Sequence, residues 1–225
     1  MDFETLDVLY RSRITLLKIL KARGYDTTPY ERFGPVEIKA MAAGAASASG
    51  VSFRMNLERP AEAAVAGITR CRVEYTLNRV KNRLASYVAE LTDEMDGTNR
   101  SIDFKVSELI VVTIEPVVEA FHAISLNYLT IAEDKCRISF FQAHTIVNNP
   151  TEHILVPKHE YVPVDQHAEL LKELRVNSKS QLPIIRYHED MQARVMALIP
   201  GDIVKITRPS PSSGVYTVYR VCLPP

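Results

Sequence analysis

One unbroken run of apolar and β-branched residues, Leu109 to Ile114, most constrains how this chain can fold. The run reads Leu-Ile-Val-Val-Thr-Ile and ends at Glu115-Pro116. A strand with one face in water would alternate polar and apolar side chains, so this run predicts a strand buried on both faces. Such a strand needs helices on either side of its sheet. We therefore predict an α/β fold for the first part of the chain.

Two long helices are predicted before this strand. Residues 2–23 carry an apolar stripe at helical spacing, and Gly24 follows as a typical end signal. Residues 69–95 place apolar side chains at spacings that alternate between four and three, from Val73 to Leu91. We interpret them as one helix packed on its own domain; an intermolecular coiled coil is the alternative.

The segment between these helices, residues 34–50, is rich in alanine, glycine and serine. Such small side chains offer little surface for packing. We predict a mobile loop here, with an ordered segment as the open alternative.

A domain boundary is predicted at Asn148-Asn149-Pro150, where turn-forming residues interrupt the chain. It separates residues 1–150 from residues 151–225. The second domain is predicted to be a small α/β unit. Its expected elements are a strand at 154–156, a helix capped by Asp165, a short helix from Asp190, and a hairpin of strands 203–206 and 215–222.

The composition excludes several classes of protein. Lysine plus arginine and aspartate plus glutamate both number 27, so no overall positive field holds the chain on a nucleic acid. No run of 18 apolar residues occurs, and residues 1–20 carry scattered charges, so we expect a soluble intracellular protein without a membrane partner. The three cysteines form no CxxC pair, which favours buried thiols over a metal site.

No sequence pattern for catalysis or cofactor binding is present. The chain lacks GxSxG, GxxxxGK and GxGxxG. Four of the six histidines fall in the last 75 residues, but none has the spacing of a second metal ligand. We therefore expect no catalytic residues, no metal and no cofactor.

Five short strings follow one another in the last 75 residues. They are His153-x-Leu155-Val156-Pro157-Lys158-His159, Gln181-Leu182-Pro183-Ile184, Asp190 with Ala193-Arg194, Gly201-x-x-Val204-Lys205-Ile206-x-Arg208, and Gly214-x-Tyr216-x-x-Tyr219-Arg220-Val221-Cys222. This series resembles the C-terminal domain of eukaryotic RNA polymerase subunit 5, which polymerases I, II and III share. It resembles equally the small archaeal polymerase subunit that corresponds to this domain.

The front of the chain is similar to the same family at fewer positions. Leu9-Tyr10-Arg11-Ser12-Arg13, Thr15 and Arg23-Gly24-Tyr25 look like the opening helix of the eukaryotic subunit's jaw domain. Residues 33–105 show no such similarity. Two departures, at Asp190-Met191-Gln192 and at Ser210-Pro211, suggest a diverged paralogue or a viral homologue.

The resemblance implies a non-catalytic subunit of a DNA-directed RNA polymerase. The small domain would dock on the largest polymerase subunit, beside neighbouring small subunits, near the downstream end of the cleft. The jaw-like domain would lie near downstream duplex DNA. The implied location is the nucleus, or the nucleolus if the chain serves polymerase I; for a viral homologue it is the virion or the host cytoplasm.

Two sets of residues are candidates for these contacts, and each has a simpler alternative. Core packing is the alternative for the docking candidates, and a solvated surface is the alternative for the basic residues near DNA. The docking candidates are Leu155, Pro157, His159, Leu182, Pro183, Ile184 and Tyr219, and the DNA-proximal candidates are Arg79, Lys81 and Arg83.

Two other functions remain open. The first is a free-standing transcription adaptor that uses the small domain away from polymerase. The second is a nuclease-like enzyme on the predicted strand, with Asp103, Glu108 and Glu115 as available carboxylates.

Overall fold

The computed structural model describes residues 3–45, 53–63, 67–93, 95–96, 99–100, 103, 106–130 and 136–224. Contacts divide the chain into two compact units, Met1–Asn149 and Pro150–Pro225. Each unit combines helices with a four-stranded sheet, which confirms the predicted α/β class. Within these ranges, no helix has the length and apolar character needed to cross a membrane.

The first unit is built around a four-stranded sheet in the order β1-β2-β5-β6. Strand β1 is antiparallel to β2, and β2, β5 and β6 are parallel. The helices and strands of this unit are α1 (Phe3–Ala22), α2 (Pro35–Ala45), β1 (Met55–Glu58), β2 (Arg70–Thr76), α3 (Leu84–Thr92), β3 (Met95–Asp96), β4 (Asn99–Arg100), β5 (Ser107–Thr113), α4 (Glu119–Thr130) and β6 (Arg137–Gln142).

Strand β5 is the central buried strand that the apolar run predicts. All seven of its residues are buried. Leu109 and Val111 pack with α3 and α4 on one face of the sheet. Glu108, on the other face, contacts Arg23 and Tyr25 just beyond the end of α1. Helices therefore cover both faces, as predicted.

Helix α1 ends as its sequence predicts. Gly24 has φ of 88°, a conformation that costs glycine little because it lacks a Cβ. Its amide donates to Lys21 O at 2.9 Å, and the Tyr25 amide donates to Leu20 O at 3.1 Å. These two bonds form a Schellman motif, which satisfies carbonyls that the helix end would leave free.

The predicted helix over residues 69–95 is wrong in its first half. Residues Arg70–Thr76 form β2, and the described α-helix of this range covers only Leu84–Thr92. The apolar residues of β2, Cys71, Val73 and Tyr75, alternate with polar ones as in a strand, and the helical spacing takes only Val73 from them. The continuous seam that a coiled coil would need is therefore not formed.

Much of the predicted mobile loop over residues 34–50 is helical instead. Pro35–Ala45 forms α2, and residues 46–50 lie outside the described part of the chain. Alanine has the highest helix propensity, and proline suits the first helical position. The buried side chain of Ile38 anchors this helix.

The second unit contains a sheet in the order β7-β9-β10-β8. Strands β7, β9 and β10 are antiparallel neighbours, and β8 is parallel to β10. The predicted hairpin is confirmed as β9 and β10. The elements of this unit are β7 (Lys158–Val162), α5 (His167–Glu173), β8 (Ile184–Arg186), α6 (Met191–Val195), β9 (Ile203–Ser210) and β10 (Gly214–Leu223).

Two small helices lie on the opposite faces of this sheet. Leu170 of α5 packs with Val162, Ile203 and Val221 on one face. Cys222 follows Val221 in β10 and so points to the other face, where burial, the charge of Asp202 and then that of Asp190 at the start of α6 raise the pKa of its thiol. The second unit therefore has a core on each side of its sheet.

Two local predictions for this unit are wrong and one is confirmed. Residues 154–156 lie in a turn closed by the Val156 amide on His153 O, and the strand begins at Lys158. Asp165 does not cap α5, because a 3₁₀ turn over Val164–Gln166 precedes that helix. The predicted short helix from Asp190 forms as α6, and the Asp190 carboxylate caps it by accepting from the Gln192 amide at 2.8 Å.

Candidate assembly surface

Pro183 and Ile184 lie at an open edge of the second sheet. Strand β8 pairs only with β10, so its other side has no partner strand in the described part of this unit. Pro183 O accepts from the Val221 amide at 2.9 Å, and Ile184 O accepts from Arg220 Nη1 at 2.8 Å. Ile184 is nevertheless 49% exposed. The backbone is therefore held in place while the Ile184 side chain faces outwards.

Leu182, the neighbour of this pair, lies in the core. Its side chain is 6% exposed and packs with Val162, Leu170, Ile203 and Val221. It is not available on the surface of the folded unit, because it fills the space between the sheet and α5. Core packing, the alternative considered from the sequence, is what the structure shows for this residue.

Three further docking candidates lie at the start of β7. Leu155 is 82% exposed in the turn before the strand, and Ile154 beside it is 94% exposed. His159 is half-buried, and its Nδ1 lies 2.7 Å from Pro157 O, which fixes the imidazole against the strand entry. Exposed apolar side chains next to a fixed backbone suit a protein contact.

Tyr219 lies apart from the strand entry, in a groove between the sheet and α5. It pairs with Lys205 in the hairpin and packs against the core that contains Leu170. By strand alternation it shares the α5 face with Ile184, whereas His159 lies on the other face. The seven docking candidates therefore do not form one patch. They occupy the sheet edge, the strand entry, the groove and the core.

The three DNA-proximal candidates do come together. Arg79, Lys81 and Arg83 are all exposed in the loop and 3₁₀ turn between β2 and α3. Between them Val80 is fully buried, and its amide donates to the carboxylate of Glu115. This anchor fixes the middle of the loop, so we name residues 79–83 the basic loop.

Two other arginines that precede the basic loop, Arg70 and Arg72, do not join it. Arg70 lies at the other end of β2 and pairs with Glu58 at 3.3 Å. Arg72 is buried, and its Nε donates to Glu74 at 2.7 Å. These arginines belong to a strand, where successive side chains alternate between faces.

The structure also contains a buried ion network that is not predicted from the sequence. Arg23 Nη1 lies 3.1 Å from Glu108 Oε1, and the Tyr25 hydroxyl donates to the same oxygen at 2.8 Å. Arg59 covers the Tyr25 ring at 4.6 Å and donates to Arg23 O and Ile68 O. The string Arg23-Gly24-Tyr25 is visible in the sequence, but the partner of its tyrosine lies 83 residues further along the chain.

Glu74 belongs to a second buried charge cluster, with Arg54 and Arg72 on either side. Burial raises the pKa of Glu74, and the two arginines oppose this shift. Burial also raises the pKa of Tyr87 to about 12, and the Glu74 charge adds to that rise. The side chains of the cluster are only 6–20% exposed and have little access to a substrate.

The carboxylates considered for a nuclease do not converge. Glu108 begins β5 and is bound to Arg23 and Tyr25, whereas Glu115 follows the other end of that strand. They are seven positions apart along an extended chain, a separation of roughly 20 Å at about 3.3 Å per residue. No group of three or more potential metal ligands occurs in the ranges the structure describes.

Comparison with known proteins addresses the second unit directly. Residues 148–222 match the model of the family described as RNA polymerase Rpb5, C-terminal domain. The subunit Rpo5 of the DNA-directed RNA polymerase of Metallosphaera sedula is 49% identical over 72 residues, which cover 84% of that protein. The chain belongs to the Rpb5/Rpo5 family of RNA polymerase subunits.

Other relatives support the same family. Rpo5 of Methanocaldococcus jannaschii is 41% identical over 73 residues, or 91% of its length. In Dictyostelium discoideum, the subunit rpabc1 of DNA-directed RNA polymerases I, II and III is 37% identical over 91 residues, or 45% of its length. The resemblance inferred from the five strings is confirmed. Both archaeal matches cover 32% of this chain, and most of its length therefore lies outside them.

Proposed function

We propose that this chain is a non-catalytic structural subunit of a DNA-directed RNA polymerase and acts in transcription. The observation that carries the proposal is the family match over 148–222, which spans the second unit from its boundary to Cys222 in β10. The archaeal relatives consist of little more than this module, since the match covers 84% and 91% of them. The module is thus the part that these relatives share with this chain.

The second unit docks on the largest polymerase subunit in this proposal, near the downstream end of the cleft, with small subunits beside it. The open edge of β8 supports this, because Pro183 and the half-exposed Ile184 leave apolar surface uncovered. Leu155 adds a second exposed apolar position at the entry to β7. A module of about 75 residues gains stability when a partner covers such surface.

The first unit takes the jaw position near downstream duplex DNA in this proposal. The basic loop supplies three exposed cations, and Glu115 holds its backbone in place. The chain as a whole has zero formal charge, so the catalytic subunits must supply the main positive channel and this loop only a local contact.

The proposed location is the nucleus, because the Dictyostelium relative is a subunit of polymerases I, II and III. A paralogue devoted to polymerase I would concentrate in the nucleolus, and a viral homologue in the virion or host cytoplasm. Fractionation with antibodies against polymerase subunits distinguishes these locations.

A free-standing adaptor is the second candidate function. It is favoured by the large part of the chain, including most of the first unit, that lies outside the archaeal matches. An adaptor would bind transcription proteins without entering a polymerase in fixed proportion.

Affinity purification of the tagged chain at moderate salt, followed by quantitative mass spectrometry, separates the two functions. A subunit recovers the two largest polymerase subunits in equal amounts. Their absence would reject the subunit proposal, and recovery far below the amount of the tagged chain would favour the adaptor.

The docking surface has its own test in the same assay. The double variant Pro183→Asp/Ile184→Asp should lose the polymerase subunits while its circular dichroism spectrum stays that of a folded protein. Val164→Asp/Val215→Asp is the matched control, because both valines are exposed in this unit and lie outside the candidate edge. Equal recovery by both variants would remove the β8 edge from the interface.

A further inference from the structure

The groove beside Tyr219 is a cavity of about 360 Å³ in the second unit. This volume lies near the lower end of the range of roughly 300–1,000 Å³ for sites that enclose small ligands. Its apolar lining comes from both the sheet and α5. Its lining includes Glu160, Glu169, Leu170, Glu173, Lys205 and Tyr219.

The charges around the groove are unevenly distributed. On the sheet side Glu160 is already compensated: Lys158 lies 2.6 Å from its carboxylate and, with Lys205 nearby, lowers its pKa. On the helix side Glu169 and Glu173 are exposed, and no described residue forms an ion pair with either. The α5 side of the groove therefore carries two negative charges beside the apolar surface of Leu170 and Tyr219.

The spacing of these two carboxylates places them on one side of the helix. Glu169 and Glu173 are four residues apart in α5, so they lie about one turn from each other on the same face. Like charges at this spacing repel each other by a few tenths of a kcal/mol. A bound cation between them would relieve this repulsion.

We propose that this groove binds an arginine- or lysine-bearing segment of a partner protein chain. The cationic head lies between Glu169 and Glu173, and the aliphatic stem lies on Leu170 and the ring of Tyr219. Basic side chains commonly lie in this way, with the stem on apolar surface and the head in a polar rim. A guanidinium over the tyrosine ring gains a further cation–π attraction.

The charge of the rim makes other classes of partner unfavourable. Nucleic acids and anionic lipid surfaces present negative charge, which Glu169 and Glu173 repel. An apolar helix alone would leave both carboxylates without compensation. Only the identity of the partner protein rests on the proposed function. If that function holds, the partner that carries the basic segment is a polymerase subunit.

Peptide titration of the isotope-labelled full chain, followed by nuclear magnetic resonance, tests the groove directly. The probes are acetyl-Arg-Leu-Arg-Leu-amide and the oppositely charged acetyl-Glu-Leu-Glu-Leu-amide. The basic peptide should shift the amide signals of Leu170, Lys205 and Tyr219, and added salt should weaken its binding. The acidic peptide should leave these signals in place.

Charge reversal provides the matched variants. Glu169→Lys/Glu173→Lys should weaken binding of the basic peptide at least about fivefold, because it removes both carboxylates of the rim. Glu4→Lys/Asp165→Lys changes the net charge equally at exposed positions outside the groove and should bind as the unmodified chain does. Equal effects of the two double variants would overturn the proposal, as would equal binding of the two peptides or no binding of the basic one.

The peptide result and the polymerase result can fail separately. Recovery of polymerase subunits without peptide binding would reject the groove and leave the proposed function intact. Peptide binding at the groove without recovery of polymerase would support the groove and reject the proposed function.

Discussion

The hydroxyl of Tyr25 donates a 2.8 Å hydrogen bond to Glu108 Oε1 and so joins the end of α1 to the start of β5. Arg23 binds the same carboxylate oxygen. Burial and, next, the negative charge of Glu108 raise the pKa of Tyr25 well above its ordinary value. The neutral hydroxyl is therefore a dependable donor, and this bond helps to fix the helix against the sheet.

Replacing Tyr25 with phenylalanine should lower the free energy of unfolding of the first unit by about 2 kcal/mol. The hydrogen bond reaches a charged acceptor, and such bonds contribute roughly 1.5–3 kcal/mol. Denaturant unfolding of the full chain, with fits that allow each unit its own transition, measures the change.

Tyr30→Phe is the matched control for this variant. The Tyr30 hydroxyl lies near the surface and bonds only the neutral backbone of Asn56: it donates to Asn56 O at 3.1 Å and accepts from the Asn56 amide at 3.0 Å. Its loss should cost only about 1 kcal/mol or less. Equal costs for the two variants would show that the charge of Glu108 adds nothing to the bond.

Leu182 and Ile184 should respond differently to truncation. Leu182→Ala opens the core between the sheet and α5, and such changes cost about 2–5 kcal/mol. Ile184 is half-exposed at an edge, so Ile184→Ala should cost the isolated chain less than about 1 kcal/mol. Thermal and denaturant unfolding of both variants checks this order. The reverse order would place Ile184 in the core and remove it from the docking candidates.

How much of the fold the sequence predicts depends on where each signal lies. The run Leu109 to Ile114 determines a buried strand by itself, and Gly24 marks a helix end through its own backbone freedom. The conformation of β2 is decided by its pairing with β1 and β5, which are remote in sequence, whereas the heptad-like series that predicts a helix continues through Val73 into the true helix α3. Local periodicity contains no information about such partners.

The candidate surface, like the fold, can be predicted only in part from local sequence. The strings containing Pro183 and Tyr219 identify the family from local sequence, but they do not separate core from surface. Leu182 and Ile184 are two residues apart and differ in exposure because Leu182 is packed in the core beside Leu170 of α5, whereas Ile184 lies at the open edge of the same face. The groove needs residues of β7, α5 and the hairpin together, so no single segment indicates it.

The buried thiols should make the chain less stable at high pH. Burial is the main cause that raises the pKa of Cys136 and of Cys222 to about 12, from an ordinary value of 9.0. Above that ordinary value the unfolded chain loses these protons while the folded chain keeps them, so stability falls as pH rises towards 12. Each thiol should contribute a loss of up to about 1.4 kcal/mol per pH unit in this window.

The variant Cys222→Ala measures how much one thiol contributes to the loss of stability at high pH. Its unfolding free energy, measured by urea denaturation between pH 8 and 10.5, should decline less steeply than that of the unmodified chain. Tyrosines and lysines titrate equally in both proteins and cancel in the difference. Parallel curves would contradict the prediction, as would alkylation of Cys222 by iodoacetamide in the folded protein at pH 8.

The basic loop should contact DNA without contributing to the fold. Reversing Arg79, Lys81 and Arg83 to glutamate should weaken crosslinks between the chain and downstream duplex DNA in assembled polymerase, because three local cations become anions. Stability should change little, since all three side chains are exposed and the anchor of the loop is the hydrogen bond from the Val80 backbone amide to Glu115.

A triple reversal at Lys18, Lys39 and Arg70 is the matched control. It changes the net charge equally at other exposed positions and should leave the crosslinks in place. If both triple variants reduce crosslinking to the same extent, only the net charge matters; if neither does, the basic loop faces solvent.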